Sequence, residues 1–329
     1  MSEFPDIRMR RLRSTPSIRK MFARPFPEFS RFIWPVFVVE GENKEIPIDS
    51  MPKQFRYSID RLIKVLEEHV KAGLGGVMLF GVIEDQLKSP DAKYAYNKNG
   101  LVQQAVKAVK AAYPELTVFT DVCVCAYTDH GHCGILRPSG KVLNDPSLEI
   151  LAKMAVSHAE AGADGVAPSA MMDGQITAIR KALRKHNFND TILMSYSTKF
   201  ASHMYGPFRE AADSSPASGD RKSYQQPYDD FNQAVRESLI DEKEGADILM
   251  VKPALFYLDV IAEIKRHSLL PMAAYNVSGE YSMIYASARN NWGNLYGMAR
   301  ESITALDRAG TDIFLSYWAN QYDDLRSSC

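Results

Sequence analysis

The sequence predicts an α/β fold, a (β/α)8 TIM barrel preceded by an extended N-terminal arm. Three observations carry that expectation. From residue 32 onward, β-branched and aromatic runs alternate eight times with amphipathic stretches about a dozen residues long. Several of those stretches stop at a glycine, where a left-handed helix cap is favourable. The phrase Ala-Gly-Ala-Asp-Gly at 161–165 returns as Gly-Ala-Asp at 245–247 and as Ala-Gly-Thr-Asp at 309–312. One helix-to-strand turn used three times favours a closed barrel over an open sheet.

The arm comes first. Residues 1 to about 30 are rich in Arg, Pro and Phe with no sustained period, so they read as a segment outside the barrel. Such an arm cannot bury its own Phe22, Phe26 and Phe29, which suggests a partner subunit. Its basic run, Arg8 to Arg13, reads either as a nucleic-acid arm or as a source of salt bridges to another subunit. The barrel follows over 31–329. Its first strand is the apolar run 32–39, followed by an amphipathic helix at 58–72 that stops at Gly73. The run 76–81 leads to a helix at 101–112, and 117–125 to a helix at 147–161 that stops at Gly162. The short run 165–168 precedes a helix at 176–186. The run 192–197 precedes a long connection and then a helix at 229–244, which stops at Gly245. The run 248–251 leads to a helix at 257–267, and 272–277 to a helix at 298–309 that stops at Gly310. The last strand is 313–318.

With 329 residues, 46% hydrophobic and 24% charged, the chain can bury one large core. A net charge of -1 provides no broad basic field for nucleic acid. An apolar N-terminal leader and an apolar run of about 20 residues are both missing, so a reduced, cytoplasmic setting is expected and no membrane role.

Three of the four cysteines fall within eleven residues, Cys123, Cys125 and Cys133, at the end of the third strand. In an extended strand Cys123 and Cys125 project the same way, with Asp121 beside them, and a turn at Gly131 brings Cys133 back. Three thiolates on one zinc leave an open fourth position, the arrangement of a catalytic site, unless His130 or His132 closes it. A cluster of small buried residues is the plainer alternative. Cys329, the last residue, is given no role.

In a TIM barrel, function lies at the C-terminal ends of the strands. Two lysines occupy those ends. On the fifth strand an alternating face carries Ser195, Ser197 and Lys199, and the sixth runs Leu-Met-Val-Lys252-Pro. Neighbouring strands lie about 5 Å apart. Repulsion and burial therefore lower a lysine pKa and leave the neutral amine that attacks a ketone. A solvated surface charge is the ordinary reading for a lysine, and the rim position argues against it. Ser169, Ser278 and Tyr317 end strands four, seven and eight as candidate donors to a carboxylate, or as plain structural donors. The long connection 200–228 has the length of a lid and contains Tyr205, Arg209, Arg221 and Gln225. Its two arginines offer forks for an acidic substrate, unless they are ordinary surface charge.

Taken together, Asp-Val-Cys-Val-Cys with His-Gly-His-Cys, Met-Ser-Tyr-Ser-Thr-Lys-Phe, Tyr-Gly-Pro-Phe-Arg, Leu-Met-Val-Lys-Pro and Val-Ser-Gly-Glu-Tyr closely resemble the 5-aminolevulinate dehydratase (porphobilinogen synthase) family over nearly the whole chain. Ala126 and Thr198 are small departures. The cysteines match the zinc-dependent branch. The resemblance implies condensation of two 5-aminolevulinate molecules to porphobilinogen with loss of two waters, a step toward heme. It implies Schiff bases on Lys252 and Lys199. Ser278 and Tyr317 would hold one carboxylate, and Arg209, Arg221 and Gln225 the other. Zinc would sit on Cys123, Cys125 and Cys133, with Asp121 and Ser169 as polar helpers. It further implies a homo-octamer held by the arms, and an activating magnesium at Glu237. A class I aldolase, with one lysine and no thiol cluster, and a zinc-binding thiol sensor are the rival readings.

Overall fold

The computed structural model describes residues 3–328; residues 1 and 2 of the arm and Cys329 lie outside them. Eight parallel strands close into a barrel: β1 (Phe32–Val39), β2 (Gly76–Val82), β3 (Thr117–Val122), β4 (Gly165–Pro168), β5 (Ile192–Lys199), β6 (Ile248–Lys252), β7 (Met272–Asn276) and β8 (Ile313–Ser316). Each pairs with its sequence neighbours, and β8 returns to β1 with Phe32 opposite Phe314 and Ile33 opposite Leu315. The rings of Phe32 and Phe314 stack across that seam at 5.2 Å. Residues on these strands are almost all buried, as expected of parallel strands packed inside and out.

The outer layer comprises α1 (Ile59–Lys71), α2 (Leu101–Ala112), α3 (Asn144–Glu160), α4 (Gln175–Lys185), α5 (Phe231–Glu244), α6 (Leu258–His267), α7 (Ser278–Arg289), α8 (Leu295–Ala309) and the terminal α9 (Tyr322–Ser327). Gly245 and Gly310 cap α5 and α8 at φ 104° and 112°, a region costly for residues with a Cβ. The chain forms two features the sequence pattern does not announce. One is the helix α7, which begins directly at Ser278. The other is a short pair, Glu45–Pro47 antiparallel to Phe55–Tyr57, whose second strand adds to the end of β1.

The repeated Gly-Ala-Asp phrase has a structural cause. Asp164, Asp247 and Asp312 precede β4, β6 and β8. Each carboxylate accepts the backbone N–H at the start of the strand before it: Val118 (2.8 Å), Leu193 (2.7 Å) and Met272 (2.8 Å). Each aspartate also donates its own N–H to the carbonyl of that same residue. A cation then neutralises each: Lys110, Arg180 and Lys265. One short acidic side chain thereby fixes the register of three strand pairs at the bottom of the barrel.

The arm departs from expectation in part. Phe29 is buried and stacks on Tyr322 at 4.3 Å, while Phe26 packs beside Phe32 and Tyr322 under the Arg300 guanidinium. The chain's own barrel therefore covers these two rings, because α9 folds back beneath the start of β1. Phe22 stays exposed, with Phe4, Ile7, Met9, Leu12 and Met21.

Candidate active site

Lys199 and Lys252 end β5 and β6 directly opposite each other in the ladder, and both are buried. The alternation expected for β5 is broken on the way there. Ser195 Oγ donates to Asp241 on α5 (2.5 Å), and Ser197 and Thr198 both meet Ser238 on the same helix, at 2.9 and 2.8 Å. All three hydroxyls thus face outward. The pairing with β6 shifts by one residue between Leu249 and Val251, a bulge that absorbs the extra outward residue and returns Lys199 to the interior.

The Lys252 ammonium lies in an aromatic cage. Its Nζ is 4.0 Å from the ring centroid of Tyr275, 4.8 Å from Phe208, 5.1 Å from Tyr196 and 5.6 Å from Tyr205. Burial, and then the charge of Lys199, lower its pKa to about 7 against the opposing pull of Asp121. Lys199 Nζ donates to Ser169 O at 2.5 Å. Asp121 is partly buried, with Oδ1 shielded from solvent, and desolvation raises its carboxyl although Lys199, Lys252 and the Ser169 hydroxyl act in the other direction.

The cysteine side chains converge, by a different route from the one expected. β3 ends at Val122, so strand alternation does not align Cys123 with Cys125. A turn does so, with Tyr127 and Thr128 donating to Val124 O at 2.9 and 3.0 Å. Gly131, at φ 70°, then reverses the chain toward Cys133, and a Cβ there would lie 2.4 Å from Ser215 O. The three Sγ atoms lie within 4.8 Å of one another, all buried. Among the described residues this is the one convergent group of three or more metal-ligating side chains. Tetrahedral zinc with bonds of about 2.3 Å needs sulfurs about 3.8 Å apart, so the cluster fits a three-thiolate ion with little movement. Hydrogen bonds from Cys123 and Cys125 hold the Cys133 thiol well below its usual range, with Arg221 nearby adding to the effect.

Neither histidine completes that set. His132 Nε2 donates to Ser218 O at 2.9 Å, so its Nδ1 accepts from Tyr224 at 3.1 Å, and His130 Nδ1 accepts the His132 N–H. The two His132 ring contacts tie the cysteine loop to the 200–228 segment, as does the bond from Arg221 to Gly131 O (2.9 Å), while Arg221 also donates to Ser214 O (2.6 Å) within the segment. That segment carries the short helices His203–Tyr205 and Gly206–Ala211. Both its ends are tied at the lysine: Gln226 N donates to Lys199 O and Ala201 N to Gln226 O.

Within it, Arg221 is buried. Burial works against its charge, but the Cys133 thiolate, with Cys125 beside it, outweighs that and holds it protonated. Arg209 is shifted down by burial and by Arg221. Arg209 Nε, Arg221 Nε, Gln225 Nε2 and Asp121 Oδ1 are buried with no protein partner, an expensive arrangement unless a polar ligand meets them. Tyr205 is committed elsewhere, its hydroxyl donating to Lys252 O at 3.0 Å. Ser278 opens α7 and accepts the Phe208 N–H at 3.0 Å, while the Tyr317 and Tyr275 hydroxyls lie 3.1 Å apart. Glu237 lies apart from the lysines on α5. It accepts from Gln226 at 2.6 Å, and burial raises its pKa, with Asp173 and Glu244 adding to the rise. Sequence reasoning did not identify the cage residues Tyr196, Tyr275 and Phe208 or the latch at Tyr224. Only Tyr196 carries a signal, since it lies between two serines that both face α5, opposite to the alternation expected.

A family model described as delta-aminolevulinic acid dehydratase matches residues 6–325. The delta-aminolevulinic acid dehydratase of Synechococcus elongatus is 48% identical over 319 residues, 96% of this chain and 97% of that protein. The one from Archaeoglobus fulgidus is 47% identical over 323 residues, 98% of each. The crystal structure of delta-aminolevulinic acid dehydratase (porphobilinogen synthase) from Toxoplasma gondii, in complex with the reaction product porphobilinogen, superposes with a TM-score of 0.94 at 41% identity, covering 97% of this chain and 91% of that one. A match over almost the whole chain, with the same barrel, shows that this chain belongs to the delta-aminolevulinic acid dehydratase family.

Proposed function

We propose that the chain condenses two 5-aminolevulinate molecules to porphobilinogen with loss of two waters, as a lyase of tetrapyrrole biosynthesis. The observation that carries this is the pair of buried lysines at opposed ladder positions beside three convergent thiols. The neutral Lys252 amine attacks the ketone of the first substrate; its nitrogen forms the new C–N bond, and the ketone oxygen departs as water. Its pKa of about 7 leaves roughly half of that amine neutral at pH 7. Lys199 does the same for the second substrate. Forming one C–C and one C–N bond between the substrates returns both amines. Ser278 and Tyr317 receive the first carboxylate, with the N-terminus of α7 adding its favourable dipole. The unpartnered nitrogens of Arg209, Arg221 and Gln225 receive the second. Asp121, whose carboxyl feels both lysines, and Ser169, whose carbonyl accepts from Lys199, hold protons in transit in this reading. Zinc on Cys123, Cys125 and Cys133, when bound, supplies Lewis acidity toward the amino group or ketone oxygen of the second substrate. Closure of 200–228 excludes water and makes the encounter effectively intramolecular, worth several kcal/mol of barrier.

The exposed apolar side chains of the arm support assembly through subunit contacts, an octamer in this reading, in the cytoplasm. No helix among the described residues is long and apolar enough to cross a membrane. An oxygen-ligated magnesium at Glu237 belongs to the same reading, supported by Asp173 and Glu244, whose charges it feels. The test is pyrrole formation from 5-aminolevulinate under reducing conditions, before chelation, after it and with zinc restored. Loss and recovery support the three-thiolate zinc. Indifference to chelation removes zinc from the mechanism, and absence of pyrrole in every arm refutes the synthase reading.

A further inference from the structure

Glu280 is fully buried at the third position of α7, and its carboxylate joins two rim loops. Oε2 accepts from Val277 N (3.0 Å) and Asn276 Nδ2 (2.9 Å), at the turn that presents Ser278. Oε1 reaches across to Ala254 N (3.2 Å) and Leu255 N (2.8 Å), in the loop that leaves Lys252. Four donors thus meet one carboxylate, and every one belongs to the end of β6 or β7. On the opposite side, Lys252 O accepts from Phe200 N and Tyr205 Oη. The chain at the lysine is therefore clamped from both sides, with Glu280 as the only acidic member of the clamp; burial raises its carboxyl to about 7 against the four N–H donors, which favour the carboxylate. A helix cap alone requires the bond to Val277 N. The bonds to Ala254 and Leu255 do nothing for α7; they fix the spacing between the Lys252 loop and Ser278.

We infer that Glu280 is a positioning residue that sets the distance and angle between the Lys252 amine and the Ser278 carboxylate subsite. This deepens the reading above and rests on its Lys252 Schiff base. Glu280→Gln keeps the shape but turns an NH2 group toward two of the four donors, so it loosens the loop without opening a cavity. A displacement of about 1 Å at the reacting amine costs on the order of 100-fold in rate.

The experiment traps 5-aminolevulinate with cyanoborohydride and quantifies the adduct on the Lys252 and Lys199 peptides by mass spectrometry, beside kcat, KM and far-UV circular dichroism. In the wild-type enzyme an adduct on Lys252 tests the underlying reading, and its absence refutes that reading and this inference together. Given that adduct, Glu280→Gln is expected to remain folded, to slow trapping at Lys252 by at least tenfold relative to Lys199, and to lower kcat far more than it raises KM. An unchanged ratio, or equal loss at both lysines, overturns the inference while leaving the Schiff-base reading intact. If Glu280→Gln does not fold, Glu280→Asp decides. It keeps the charge but is too short to reach both loops, and the same skewed ratio is expected in milder form.

Discussion

Replacing Lys199 with Gln separates the two causes of the depressed Lys252 pKa. Burial is the larger cause and the Lys199 charge the second. With the strand spacing of about 5 Å taken as the separation of the two ammonium groups, they repel by about 3 kcal/mol at an effective dielectric of about 20, or about 2 pH units. Lys199→Gln should therefore move Lys252 upward from about 7 to about 9, still short of 10.5 because burial remains. At pH 7 its neutral fraction then falls from about a half to about one in a hundred, so trapping of a single substrate on Lys252 slows by about fiftyfold. Near pH 10 the two proteins should trap at similar rates. The assay is peptide-resolved cyanoborohydride trapping from pH 6 to 10. A midpoint that stays near 7 in the variant would refute the electrostatic coupling and leave burial as the sole cause. A wild-type midpoint above 9 would refute the depressed pKa altogether.

Lys252→Met should abolish pyrrole formation and stabilise the fold, because the native lysine must be buried with its charge below pH 7. Between pH 7 and 10.5 the unfolded chain holds the proton that the folded chain releases, so wild-type stability from this group rises with pH by about 1.4 kcal/mol per unit. The variant's advantage in urea unfolding should accordingly shrink by about 2–3 kcal/mol between pH 7 and 9, and a constant advantage would contradict this. Cys125→Ser should lower bound zinc, measured by a colorimetric chelator assay, from about one per chain to well below half, with the circular dichroism spectrum unchanged. Met21→Asp with Phe22→Asp should reduce the assembly seen by light scattering while leaving the barrel's thermal transition within a few degrees, since both side chains are exposed. Unchanged mass would remove these two positions from the subunit contact.

What was legible followed from local rules. Strand interiors buried on both sides read as unbroken apolar runs, and helices end where glycine permits positive φ, so all eight barrel strands and the lysine-bearing ends were visible in the sequence. The misreadings arose where a period-two rule was carried through irregular backbone. Cys123 and Cys125 converge through a turn, and Ser195 and Ser197 face α5. Helix α7 was hidden because it starts at the residue after a strand-end turn, with no polar linker to announce it. Phe26 and Phe29 looked unburiable because their cover, Tyr322, lies about 295 residues away in sequence. The cage around Lys252 combines rings from β5, β7 and the 200–228 segment. No local pattern encodes such a meeting.

The bulge in β5 gives this barrel a directional tolerance to changes in chain length. Leu249 pairs with Ser195 and Val251 with Thr198, so β5 carries one residue more than β6 needs. Deleting Ser197 would regularise the ladder and still leave Lys199 opposite Lys252, facing inward. Inserting one residue after Thr198 would turn Lys199 out against α5. Homologous sequences can thus differ by a lost residue here without losing the lysine pair, whereas a gained residue must be offset within the same strand.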